Sequence, residues 1–186
     1  ERWMRDARIN TIGEGANDVL KAFIAVVGCR APGEHLKKLR DDLVGMKWSF
    51  GKLLSGLGVG AKLAVPWLAN TPLVPVKHPD LFEEARHLAQ LVKQFGTTLP
   101  HVFLKLKDET IFVQAQLVHE RLADIAIDLY ASACVLSRLD AVLEKPSPDD
   151  PHADPSFGHA FLAMAYRRIA NNFAALDDND RSEEHT

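Results

Sequence analysis

The chain has 186 residues, 47% apolar and 25% charged, which is the balance of a soluble globular protein with one good-sized core or two small ones. Its formal net charge is −3, and no basic run with interleaved aromatics occurs, so nothing favours nucleic acid as a partner. Two cysteines, Cys29 and Cys134, stand far apart in apolar helical contexts. They read as small buried hydrophobes rather than a disulfide framework, and point to a reducing, intracellular compartment.

No signal-peptide architecture opens the chain, and "ERWMRDARIN" reads as the interior of a longer sequence. No uninterrupted apolar stretch is long enough to span a bilayer. In chain order, residues 16–28 carry apolar side chains on nearly every face after Asp18, which predicts a helix buried on several sides and stopped at Gly28. "APGEHLKKLRDDLVG" predicts a short polar helix starting after Pro32-Gly33 and ending at Gly45. Residues 80–95 predict an amphipathic helix capped by Asp80, and Pro100 is expected to open another. Further on, Val118, Leu122, Ile125, Leu129, Ser132, Leu136, Leu139 and Leu143 alternate four and three apart. One long helix from Asp108 to Glu144 aligns them on a single stripe, widened by Ala126, Ile127, Tyr130, Ala133 and Cys134, and is expected at the centre of a bundle. Lys145–Ser156 is a loop, Phe157–Leu176 a last helix, and the acidic end a frayed tail. No strand pattern or repeat is present. The fold class is all-α, an antiparallel helical bundle.

Between Leu43 and Pro79 there is no Asp or Glu. If residues 46–68 are helical, Phe50, Leu53, Leu54 and Leu57 share one face, Lys47, Lys52 and Lys62 the other, with Trp48 and Trp67 at the margins. Such a segment suits the surface of an anionic membrane. A flexible linker, or a helix docking on protein, fits it equally. Four glycines (Gly51, Gly56, Gly58, Gly60) weaken any helix there by about 1 kcal/mol each. "GLGVGA" within it follows no strand and is rejected as a dinucleotide site. No metal set is expected. Glu84-x-x-His87 lacks the second pair a helical di-metal site needs, and His152 and His159 have no companion ligands. Glu120, Asp124 and Asp128 read as a solvated or salt-bridged stripe.

"TIGEGANDVLKAFIAVVG" sets Glu14 between two glycines just before a helix. By spacing alone, Glu14 is either a favourable charge at a helix N-terminus or a general base with open backbone around it. The wider stretch "RDARINTIGEGANDVLKAFIAVVG" resembles the C-terminal catalytic segment of the acyl-CoA dehydrogenases. It is most similar to their very-long-chain branch, and "ERLADIAIDLYASACVLSRLD" is similar to the extra helical domain of that branch. The resemblance is specific at 5–28 and 119–140 and loose elsewhere.

The resemblance implies the C-terminal portion of an FAD-dependent enzyme that desaturates long-chain acyl-CoA to trans-2-enoyl-CoA in fatty acid β-oxidation. It implies Glu14 as the base, Gly15 at the substrate, and Ala16, Asn17 and Asp18 at FAD. It further implies electron-transfer flavoprotein as acceptor, a homodimer in the full enzyme, peripheral membrane contact, and the cytoplasm or inner membrane face in bacteria or the mitochondrion in eukaryotes. The expected division is 1–45, the end of the catalytic helical domain; 46–79, a basic membrane-binding segment; 80–178, the extra bundle; and 179–186, the tail. Alone, such a fragment is expected to be inactive, since the rest of the flavin site is not in it. Two departures stand out: Ala16 replaces a usual threonine, and Gly13 a usual aromatic residue. The competing expectation is a non-enzymatic helical module that docks on membrane or protein.

Overall fold

The computed structural model describes residues 2–11, 13, 16–44, 71–106, 109–145 and 154–178. The basic segment 46–68, with the residues from Lys47 to Trp67 expected at a membrane, lies outside the described residues, as do Glu14, Gly15 and the 179–186 tail. The described chain is all-α, with no strand. Its helices are α1 (Arg2–Asn10), α2 (Asn17–Val44), α3 (Phe82–Leu106), α4 (Glu109–Gln114), α5 (Gln116–Glu144) and α6 (Ser156–Asp178), with one 3-10 turn at Pro79–Leu81.

The centre of the bundle is α5, 29 residues and about 43 Å long. It packs against α2, α3 and α6. Residue pairs fix the directions. Leu139 lies against Gly158, Asp128 binds Arg168, and Arg121 donates to the Ala175 carbonyl, so α6 runs antiparallel to α5. Asp140 holds the chain entering α3, while Phe112 and Phe103 meet at its far end, so α3 is antiparallel too. Lys21 reaches Glu120 and Asp124, and Gly33 meets Phe103, which gives α2 the same sense.

The stripe predicted on α5 is the core: Val118, Leu122, Ile125, Leu129, Ser132, Leu136 and Leu139 are all buried, with Leu143 packed at its edge. Opposite stand Leu81, Leu88, Leu162 and Ile169, fully buried, each worth about 1.5–3 kcal/mol of transfer free energy. The widening expected along the whole stripe is confined to its first turns on that flank. His119, Ala123 and Val142 are buried, whereas Ile127, Tyr130, Ala133 and Cys134 face outward. Cys134 is therefore an exposed thiol, not a buried hydrophobe, while Cys29 is buried.

Three helix boundaries differ from expectation. α2 runs through Gly28 and Pro32, and α3 through Gly96 and Pro100. A proline inside a helix crowds the carbonyl four residues earlier, and in both helices that residue is glycine. A β-carbon at Gly28 or Gly96 would meet nothing, so packing does not require glycine there. Glycine there leaves the crowded carbonyl freer to turn aside. Conversely, the long helix expected from Asp108 is broken at Ala115, whose ψ of 66° leaves the helical region. The Ala115 N–H bonds both the Ile111 and Phe112 carbonyls and closes α4 tightly.

Candidate functional site

The segment that resembles a catalytic motif is the junction of α1 and α2. The end of α1 is closed locally: the Thr11 hydroxyl donates to the Arg8 carbonyl at 2.7 Å and the Gly13 N–H to the Ile9 carbonyl at 2.8 Å. A β-carbon at Gly13 would stand 3.1 Å from that Ile9 oxygen, so the aromatic residue usual there could not follow this path without a shift. On the other side, the Ala16 carbonyl accepts from the N–H groups of Val19 (2.9 Å) and Leu20 (3.1 Å). Ala16 is thus the N-cap of α2, and as alanine it has no side-chain oxygen to hold the free N–H groups of the first turn. Glu14 and Gly15 fall in sequence between these two helix ends.

Ala16, Asn17 and Asp18 are exposed at the start of a 28-residue helix, whose N-terminal potential favours anions and hydrogen-bond acceptors. They fit one polar edge of a bound cofactor. Two grooves formed by described residues lie elsewhere. One, of about 410 Å³, runs between α5 and α6 past Leu139, Phe157 and Phe161. The other, of about 860 Å³, runs between α3 and α6. There the Glu84 carboxylate accepts from His159 Nδ1 at 3.1 Å, while its backbone carbonyl accepts the Tyr166 hydroxyl at 3.0 Å. The His87 ring lies tilted at 51° against Tyr166, with ring centroids 4.6 Å apart. Burial pushes the Tyr166 hydroxyl up to about 12, so it stays a donor. Glu84-x-x-His87 therefore belongs to a helix-to-helix polar seam. Among the described residues no three His, Cys, Asp or Glu side chains gather as a cation site.

The acidic stripe of α5 is salt-bridged. Lys21 lies 3.3 Å from Glu120 and 2.9 Å from Asp124, and Arg168 grips both oxygens of Asp128 at 2.7 and 2.9 Å. The hydrogen bond to Asp124 chiefly raises the affinity of Lys21 for its proton. The Lys21 bridges hold the motif-bearing helix to α5, and the Arg168 bridge holds α6 to it. His159 and Lys21 were invisible as partners in the sequence, since they bond across 75 and 103 residues.

The burial of α2 is one-sided. Ala25 and Cys29 are buried and Lys21, Ala22, Pro32 and Gly33 half-buried on a single stripe. Opposite them Val19 and Phe23 are each 64% exposed and Val27 52%. A helix apolar on nearly all faces belongs inside a protein, so this outer face is built to be covered.

A family model for the C-terminal domain of ACAD9/ACADV matches residues 79–186, starting at the turn that leads into α3. The chain belongs to this family. The very long-chain specific acyl-CoA dehydrogenases, mitochondrial, of Rattus norvegicus and Homo sapiens are each 32% identical to it over 184 residues, and that of Mus musculus 33%. Each alignment covers 99% of this chain and 28% of the relative, so the chain corresponds to the C-terminal portion of an acyl-CoA dehydrogenase. In ACAD9/ACADV terms, α3 to α6 lie inside the matched domain, and α1 and α2 precede it. No described helix is long and apolar enough to cross a membrane.

Proposed function

We propose that this chain is the C-terminal part of an FAD-dependent dehydrogenase that introduces a trans-2 double bond into long-chain acyl-CoA, and that Glu14 is its proton-abstracting base. The reading is carried by one juxtaposition. The Glu14 motif immediately precedes the exposed N-terminus of a helix whose outer apolar face is bare, in a chain aligned along nearly its whole length with acyl-CoA dehydrogenases.

In this reading Glu14 removes the α-proton of the thioester. Such a proton is too weakly acidic for a carboxylate unless negative charge on the carbonyl oxygen is stabilised, and the Glu14 backbone N–H donates to that oxygen. Gly15 leaves room for the substrate chain. Flavin, when bound, supplies the acceptor for the β-hydride. Ala16, Asn17 and Asp18 form its edge, with the opening N–H groups of α2 as donors. The residues up to 45 complete the catalytic helical body, 46–79 forms a membrane-facing segment, and 80–178 is an appended bundle. Electron-transfer flavoprotein takes the electrons, the full enzyme is a homodimer, and the location is mitochondrial in a eukaryote or the cytoplasm and inner membrane face in a bacterium. The 186-residue chain alone is inactive.

In the full-length protein, Glu14→Gln is expected to keep flavin bound and abolish its bleaching by palmitoyl-CoA. Retained bleaching overturns the role of Glu14. A non-enzymatic docking module would instead show no flavin at all in the longer chain. Deleting 46–68 is expected to end co-sedimentation with anionic liposomes, and sedimentation that survives the deletion argues against the membrane role.

A further inference from the structure

At the break between α4 and α5, His119 is 2% exposed. Its backbone N–H donates to the Ala115 carbonyl and so takes part in the opening turn of α5. Its ring reaches back toward the Phe112 carbonyl, which receives the Ala115 N–H at 3.1 Å. Nε2 has no hydrogen-bond partner, which leaves Nδ1 as the nitrogen to serve that carbonyl. In an unbroken helix the Phe112 carbonyl would be taken by the N–H four residues on. Here a histidine ring, seven residues on, is placed to cap the end of α4. The same ring meets Phe112 edge-on at 4.7 Å, and Phe112 meets Phe103 of α3 at 5.1 Å. Gly33 of α2 also lies against Phe103. One imidazole thus sits at the root of a seam that joins four helices.

We propose that His119 is a proton-sensitive clasp on this seam: the neutral ring caps α4 and holds the α4 turn and the end of α3 against α5, and the protonated ring releases them. The chemistry is one-sided. A neutral ring with hydrogen on Nδ1 makes its single donation to the Phe112 carbonyl and leaves Nε2 a bare acceptor among apolar atoms. Protonation puts a second N–H, and a charge, at Nε2 with no acceptor there, and water can reach that site only if the seam opens. Burial holds the ring below the ordinary histidine value, with the Phe112 carbonyl pulling weakly the other way. Along the surrounding described elements, Cys29 of α2 is neutral, its thiol pushed up to about 11 by burial, and Lys21 is tied to Glu120 and Asp124. On α3, His101 is exposed and Lys105 has its own interactions, while Arg121 of α5 is bound to the Ala175 carbonyl. None of these is a carboxylate placed to receive a proton on Nε2.

The sign follows from the lowered value. The open form binds the proton more tightly than the closed one, so closure weakens as pH falls through the ordinary histidine range and levels off below the closed-state value. Hydrogen exchange on the 186-residue chain tests this. Protection of the Ala115 and His119 amides should fall by up to about tenfold per pH unit between about pH 7 and 5. Protection of amides 125–136 in mid-α5 should hold. His119→Asn can still donate to the carbonyl but does not titrate, and should give flat protection at 115 and 119. Uniform loss along all of α5, or the same decline in His119→Asn, overturns the clasp. Should that variant not fold, the His119 ring resonances of the unaltered chain decide. Hydrogen on Nδ1 with a midpoint below the ordinary histidine value of about 6.5 supports the clasp. Hydrogen on Nε2, or a midpoint at or above that value, overturns it.

Discussion

Ala16 occupies an N-cap with a side chain that cannot cap. Ala16→Thr restores a hydroxyl facing the free N–H groups of α2 and should raise stability by about 1 kcal/mol in urea unfolding. A fall would mean that the backbone before α2 does not take N-cap geometry. Ser132 is the converse case, fully buried with its hydroxyl unpartnered. Ser132→Ala should cost nothing and gain up to about 1 kcal/mol, because it removes a desolvated polar atom without opening a cavity. The spacing of the sequence placed Ser132 on the buried stripe, and nothing in it told that the hydroxyl would lack a partner. Ala16 stood out as a departure from a motif, whereas its position as a cap depends on which carbonyl the next turn uses.

At the level of elements, the crossing of α5 and α6 is set by Gly158, where a β-carbon would fall within 3 Å of three atoms of Leu139, its Cγ among them. Gly158→Ala gains helix propensity but must push the helices apart, and is expected to lose about 1–3 kcal/mol net, read as a lower thermal midpoint. The chain entering α3 is held by Asp140, which accepts the N–H groups of Lys77 and His78 at 2.8 Å each. The His78 N–H chiefly, with that of Lys77, holds the Asp140 carboxyl below its usual value. The tether is therefore complete at neutral pH and is lost as pH falls through that lowered value, which exchange at the Lys77 and His78 amides should report. Asp140→Ala should remove their protection at every pH. Helix identities were legible because apolar spacing repeats over many turns. The boundaries at Gly28, Pro32, Pro100 and Ala115 were not. Proline and glycine are stop signals in isolation, and whether a helix continues past them is decided by the neighbours that cover it.

For the whole molecule, the bundle character and the central place of α5 followed from one stripe of residues, but how far along the helix its margins would be covered did not. Ile127, Tyr130 and Cys134 look as apolar in sequence as Ala123 and Val142, and only the placement of α2, α3 and α6 separates them. The bare face of α2 has a measurable consequence. The 186-residue chain should bind a hydrophobic dye or self-associate, and Phe23→Lys with Val27→Lys should suppress this while shifting stability by no more than about 0.5 kcal/mol per site. A large loss of stability would show that those side chains are already buried in solution. The candidate base was legible only through its motif, and its chemistry depends on parts of the longer relatives that this chain does not span.

The attachment of α2 also orders events in time. Hydrogen bonds from Lys21 to α5 close a gap of 103 residues, whereas the bonds that join α5 to α6 span 40 to 54. Closing the larger loop costs more chain entropy, and a single stripe of buried residues rewards it. The α3–α6 bundle is thus the natural folding nucleus, with α2 docking last and detaching first. The helix that carries the catalytic-like motif can thus come away while the α3–α6 bundle behind it stays folded.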